Sequence, residues 1–74
     1  MREWLKNLRT AKGLTMKEMG EKLGISESYY CAIENGERQK KMDIVLISGL
    51  SSVLNVSVAK IVRLESEMRN RFRR

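Results

Sequence analysis

The stretch that decides the fold is Thr15-Met16-Lys17-Glu18-Met19-Gly20-Glu21-Lys22-Leu23-Gly24-Ile25-Ser26-Glu27-Ser28-Tyr29-Tyr30-Cys31-Ala32-Ile33-Glu34-Asn35-Gly36. It reads as two short capped helices joined by a tight turn. Thr15 and Glu18 have capping-box spacing: the hydroxyl accepts from an orphan backbone N–H, and the carboxylate reaches back. Met19 and Leu23 lie one turn apart, and Gly24 stops the helix. Ser26 caps the next one, with Glu27 in its first turn, where the helix dipole favours negative charge. Tyr30 and Ile33 share a face, and Asn35-Gly36 is a strong breaker. The join Leu23-Gly24-Ile25-Ser26 has helix–turn–helix spacing. A second helix presented this way is able to enter a DNA major groove with its N-terminal residues at base edges. Gly24 falls where a positive φ is expected, and Gly20 where the two helices must approach.

Helical signals continue on either side. A first helix is expected from about Arg2 to Lys12, with Trp4, Leu5, Leu8 and Ala11 on one face and Gly13 as its stop. A polar, basic loop spans Glu37 to Met42. Asp43 then caps a fourth helix with the inner stripe Ile44, Ile47, Leu50, Ser51 and Leu54, closed near Asn55. Ser57 caps a fifth with Val58, Ile61, Val62, Leu64 and Met68 on its apolar side. Ile61 is assigned to the core, and residues 68–74 are expected to fray as a basic tail.

Composition narrows the function classes. The chain has 74 residues, enough for one domain, spanning 1–74, and it has no proline and no histidine. The fold class expected is all-α. Without histidine, a nucleophile–base pair or a phosphate-binding glycine loop, an enzyme is not expected. Cys31 is the lone cysteine; it excludes an internal disulfide, lacks a metal-ligand cluster around it and reads as packing. No cofactor or metal is expected. Nothing approaches a membrane span, and the start lacks the apolar run of a secretory signal, so a cytoplasmic location is expected. A membrane-surface role for the last arginines and Phe72 is disfavoured, because two glutamates interrupt that stretch.

The run Leu8-Arg9-x-x-Lys12-Gly13-Leu14-Thr15-x-x-Glu18-Met19-Gly20-x-x-Leu23-Gly24-Ile25-Ser26-x-x-Tyr29-x-x-x-Ile33-Glu34-Asn35-Gly36-x-Arg38 resembles the Cro/lambda-repressor family, also called the xenobiotic-response-element family. The likeness covers the first three helices and continues more loosely through Leu54-Asn55-Val56-Ser57. It implies a compact five-helix lambda-repressor-like domain in which helices 2 and 3 form the helix-turn-helix and helix 3 is the recognition helix. Met16, Ser26, Glu27, Ser28 and Ala32 then fall at base-facing positions. Tyr29 and Asn35 match positions that contact phosphate, and Leu23, Ile25, Tyr30 and Ile33 match buried ones. Arg9 and Glu34 match a buried structural pair. The chain departs from the family pattern in four places. Ala32 is small where the family commonly has a polar residue reaching a base, Met16 lacks the usual amide, Tyr30 is larger than the usual aliphatic residue, and the loop after Gly36 is longer.

The net charge of +6 is unevenly placed. Met1–Thr15 carries +3, Met16–Gly36 carries −2, Glu37–Lys41 carries +2, Met42–Val62 is neutral and Arg63–Arg74 carries +3. The recognition motif itself is therefore acidic, and phosphate attraction must come from its flanks. Arg9, Lys17, Arg38, Lys40 and Lys41 are the cations expected at phosphates, with Lys6 and Lys12 as further candidates. Double-stranded DNA is the expected partner. Homodimers reading two half-sites are the common solution for this motif, with the fifth helix as the candidate dimer surface. An antitoxin-type module that binds a toxin and its own operator is the alternative, and contact with RNA polymerase is compatible with either.

Overall fold

Local signals set where each helix begins and ends. The computed structural model describes residues 1–71. They form α1 (Glu3–Ala11), α2 (Met16–Leu23), α3 (Glu27–Asn35), α4 (Ile44–Leu54) and α5 (Val58–Arg71), with no strand among the described residues. The capping box is complete: Glu18 N–H donates to Thr15 Oγ1 at 3.1 Å and Thr15 N–H to Glu18 Oε1 at 2.8 Å. Ser26, Asp43 and Ser57 accept from the N–H groups of Tyr29, Leu46 and Lys60 in the same way. Gly24, Gly36 and Asn55 close α2, α3 and α4 in the left-handed conformation.

The core takes at least one fully buried apolar residue from every helix: Leu5, Met19, Tyr30, Ile33, Leu50, Leu54 and Ile61. A half-buried shell that includes Trp4, Leu8, Leu23, Ile25, Ile47 and Val53 surrounds it. α2 packs on α3 and α4, α1 on α3, and α4 on α5, with a 115° bend at the break between α4 and α5. No single described helix is long and apolar enough to cross a membrane.

Gly20 decides how α3 is held. A Cβ there would meet Ile25 O at 2.8 Å and the Ser26–Glu27 backbone at 3.2–3.3 Å. Only glycine lets the turn close this tightly over α2, with Ile25 N–H donating to Gly20 O at 2.9 Å.

Three expectations about faces are corrected. Ala11 is exposed, because the stripe of α1 runs through Arg2, Leu5 and Arg9 instead. Ile44 does not join the inner stripe of α4: it is 80% exposed and Val45 is 77% exposed, because the first turn of α4 projects past the core. Val58 and Val62 are exposed as well; Ile61, Leu64 and Met68 face inward with Glu65, so a carboxylate occupies a place that an apolar pattern gives to a hydrophobe. α5 continues past Met68 to Arg71. The expectation for the tail after Arg71, and for Phe72, lies outside the described residues.

Candidate nucleic-acid interface

α3 turns Tyr30, Ile33 and Glu34 into the protein. The face left outward carries Glu27, Ser28 and Asn35, exposed, with Cys31 and Ala32 half-buried between them. Ser26 sits at its leading end. Its Oγ accepts the Tyr29 N–H at 3.0 Å, which leaves the hydroxyl hydrogen free to donate outward. The residues expected at base edges in α3 are thus brought onto one accessible surface, with Ala32 recessed. Met16, expected at a base from α2, packs half-buried against the core instead and presents only part of its side chain.

The residues expected at phosphates divide into two groups. Lys17, Asn35, Arg38, Lys40 and Lys41 are exposed. The Asn35 amide reaches Cys31 Sγ at 3.7 Å. Tyr29 is half-buried, and its hydroxyl accepts from Gln39 Nε2 at 3.0 Å, leaving its own hydrogen to donate. Arg9 is turned inward. Its guanidinium donates to Glu34 Oε2 at 2.7 Å, Glu34 Oε1 at 3.3 Å and Leu14 O at 2.9 Å, and the residue is buried. These bonds tie α1 to α3 and make the pair with Glu34 that the sequence suggests.

That tie orients α3. Glu34 also accepts from the Tyr30 hydroxyl at 2.7 Å, which explains why a tyrosine fits where an aliphatic residue is expected. The Glu34 hydrogen bond holds the Arg9 guanidinium above its ordinary pKa, against the opposing effect of burial. Burial, then the Glu34 hydrogen bond, pushes the Tyr30 phenol far above its ordinary value. One carboxylate is thus shared by the Arg9 guanidinium and the Tyr30 hydroxyl.

Sequence reasoning missed a second buried network. Arg2 is 1% exposed and pairs with Glu65 at 2.9 Å, while Trp4 Nε1 donates to the same carboxylate at 3.1 Å. It also missed Gln39, whose φ of 54° costs about 1–2 kcal/mol for a residue with a Cβ. Gln39 is held there by its own side chain, which donates to Tyr29 and accepts the Asp43 N–H at 3.1 Å. The signal for Arg2 was present: Arg2, Leu5 and Arg9 have i, i+3, i+7 spacing, so a stripe that buries Leu5 and Arg9 reaches Arg2 too.

Between α2, α3 and α4 lies a cleft of about 420 Å³, lined by residues that include Leu23, Ile25, Tyr29, Leu46 and Val53. Among the described residues, no group of three or more His, Cys, Asp or Glu side chains is placed to hold a metal.

The helix-turn-helix family model matches residues 5–61. The HTH-type transcriptional regulator YqaE of Bacillus subtilis is 38% identical over 64 residues, covering 86% of this chain and 53% of that protein. SinR of Bacillus licheniformis, also an HTH-type transcriptional regulator, is 33% identical over 63 residues, covering 85% and 56%. YqaF of B. subtilis is 46% identical over 39 residues, covering 53% and 51%. The chain spans about half the length of these curated relatives. It belongs to the helix-turn-helix family of the Cro/lambda-repressor type, whose relatives here are transcriptional regulators.

Proposed function

We propose that this helix-turn-helix chain is a sequence-specific double-stranded-DNA-binding regulator of transcription. It acts in the cytoplasm as a homodimer on a two-fold-symmetric operator, most simply as a repressor by occupancy. The observation that carries this reading is the outward face of α3. Ser26, Glu27, Ser28 and Asn35 are exposed side by side on a helix that is capped, pinned by Glu34 and flanked by the exposed cations Arg38, Lys40 and Lys41. In this reading α3 lies in the major groove and the cations meet phosphate. The exposed apolar residues Ile44 and Val45 on α4, and Val58 and Val62 on α5, are surface for a second copy.

Selection of bound duplexes from a random pool at about 150 mM salt, where non-specific phosphate binding is suppressed, tests the reading. It predicts an enriched motif with two-fold symmetry. Salt-sensitive binding without enrichment contradicts it. Glu27→Gln sharpens the test: a carboxylate in the groove accepts from cytosine N4, so the variant shifts preference at one position of each half-site and leaves overall affinity within about threefold. An untouched preference assigns Glu27 to helix capping alone.

The projecting first turn of α4, with Ile44 and Val45 bare beside the 420 Å³ cleft, favours one second reading. This is an antitoxin-type module that binds a protein partner as well as its own operator. A neighbouring toxin gene, and capture of that toxin by the purified chain, would distinguish it.

A further inference from the structure

Three consecutive carbonyls of the 37–42 loop face cations from distant parts of the chain, before α1 and near the end of α5. Arg2 donates to Arg38 O at 3.2 Å and to Gln39 O, and Arg69 donates to Lys40 O at 2.5 Å. Arg2 also donates to Ile33 O, in the last turn of α3, at 2.5 Å, and its backbone N–H reaches Glu34 O at 2.7 Å. A guanidinium has five N–H donors, and all five are placed. Nε and one Nη2 hydrogen face Glu65, both Nη1 hydrogens face Ile33 O and Arg38 O, and the last faces Gln39 O. Glu65 balances the buried charge, and Trp4 braces Glu65.

The consequence is directional. With the carbonyls of Arg38 and Gln39 drawn inward onto Arg2 and that of Lys40 held at the surface by Arg69, the side chains of Arg38, Lys40 and Lys41 stand exposed. Gln39, in its positive-φ conformation, is fixed from both sides: its carbonyl by Arg2, its side chain by Tyr29 and Asp43. Arg2 holds the end of α3 and the loop with one planar group, so the two keep a common geometry.

We propose that Arg2, locked by Glu65 and assisted by Arg69, is a positioning residue that presets the 37–42 loop as a phosphate-binding arm beside α3. The proposal rests on the DNA-binding reading above. A preset arm meets DNA without first losing conformational freedom, which is what preorganisation contributes to affinity.

The test has two arms, both on the full chain. The first needs no DNA: backbone ¹⁵N relaxation of the wild type, Arg2→Met and Arg69→Met. Methionine keeps an unbranched stem and removes the donors. Order parameters at residues 38–41 should fall from about 0.85 towards about 0.6 in Arg2→Met, and by less in Arg69→Met, with α2 and α3 unchanged. Unchanged values overturn the clamp. If Arg2→Met does not fold, Arg69→Met and Glu65→Gln carry this arm.

The second arm measures affinity for a non-specific duplex against salt. Removing both lysines, as Lys40→Ala/Lys41→Ala, should lower the salt slope of the wild type by about two units. The same removal in the Arg69→Met or Arg2→Met background should lower it by clearly less, because the arm is no longer held against DNA. A loss that is merely structural leaves the two effects additive, and additivity overturns the proposal. Failure of the wild type to bind any duplex at low salt defeats the DNA reading, and the arm's role with it. The relaxation result then still shows separately whether the clamp holds the loop.

Discussion

Residues 14–36 and residues 37–69 are held by different kinds of contact. In the first region the ties are short in sequence: a capping box three residues long, a turn closed on Gly20, and Tyr30 bonded to Glu34 one turn away. Its long ties meet at the end of α3: Arg9 to Glu34, 25 residues apart, and Arg2 to the carbonyls of Ile33 and Glu34. In the second region the loop is fixed by the far ends of the chain, through Arg2 on Glu65, 63 residues apart, and Arg69 on Lys40 O. Helix α3 is shaped largely by its own neighbourhood, whereas the basic loop beside it is shaped by the closed fold. Local contacts form a rigid face, and distant ones let the fold set the position of a loop with no regular structure of its own.

The largest expected effect comes from the first region. Glu34→Ala leaves the Arg9 guanidinium buried without its partner and orphans the Tyr30 hydroxyl. The expected loss is about 3–5 kcal/mol in urea unfolding, a large share of a small domain's stability. Glu65→Ala should cost less, about 1–3 kcal/mol, because Arg2 keeps its carbonyl acceptors. Equal losses would break the comparison.

The glycines sharpen it. Gly20→Ala drives a Cβ against backbone at 2.8 Å and should cost about 1–3 kcal/mol, despite the better helix propensity of alanine. Gly49→Ala meets only the end of the Leu23 side chain, at 3.0 Å, and should fall between neutral and a gain of about 1 kcal/mol. Thermal unfolding of the two variants separates a backbone-limited site from a side-chain-limited one.

The pH limbs should move in opposite senses. The Tyr30 phenol is raised by burial and by Glu34, so its contribution is complete below the ordinary phenol value and is lost as pH rises towards the folded value. Tyr30→Phe should cost about 1–2 kcal/mol near neutrality and flatten the alkaline loss of stability. The Glu18 carboxyl is lowered by the Thr15 backbone N–H and then by its side chain. Its contribution is present above the ordinary carboxyl value and is lost as pH falls through the folded one. Thr15→Ala should cost about 1 kcal/mol, and Glu18→Gln should flatten the acid limb. Unchanged limbs in Tyr30→Phe and Glu18→Gln would remove these groups from the account.

Most of the fold was legible because helix ends are written locally. Thr15, Ser26, Asp43 and Ser57 cap where expected, and Gly24, Gly36 and Asn55 stop where expected, each acting on backbone within a few residues. The outward residues of α3 came from the family resemblance, and the burial of Tyr30 and Ile33 agrees with it: Glu27 and Ser28 lie outside. Ile44 was misplaced because periodicity states which side of a helix is apolar but not how far the neighbouring element reaches. Arg9 was given two roles, and the closed structure turns its guanidinium onto Glu34 and Leu14 O. Arg2, Glu65 and Gln39 were missed because charged and polar residues are ordinarily expected outside; the spacing of Arg2 from Leu5 and Arg9 signals its burial, but the partners of all three are set by tertiary contacts.

The most direct test of the division between reading helix and preset arm is amide chemical-shift mapping of the ¹⁵N-labelled chain with two duplexes: the one enriched by selection and a scrambled one of equal length. The account predicts that residues 38–41 shift with both, whereas residues 26–35 shift fully only with the enriched duplex. Shifts confined to α4 and α5, or identical patterns for both duplexes across residues 26–35, would contradict it.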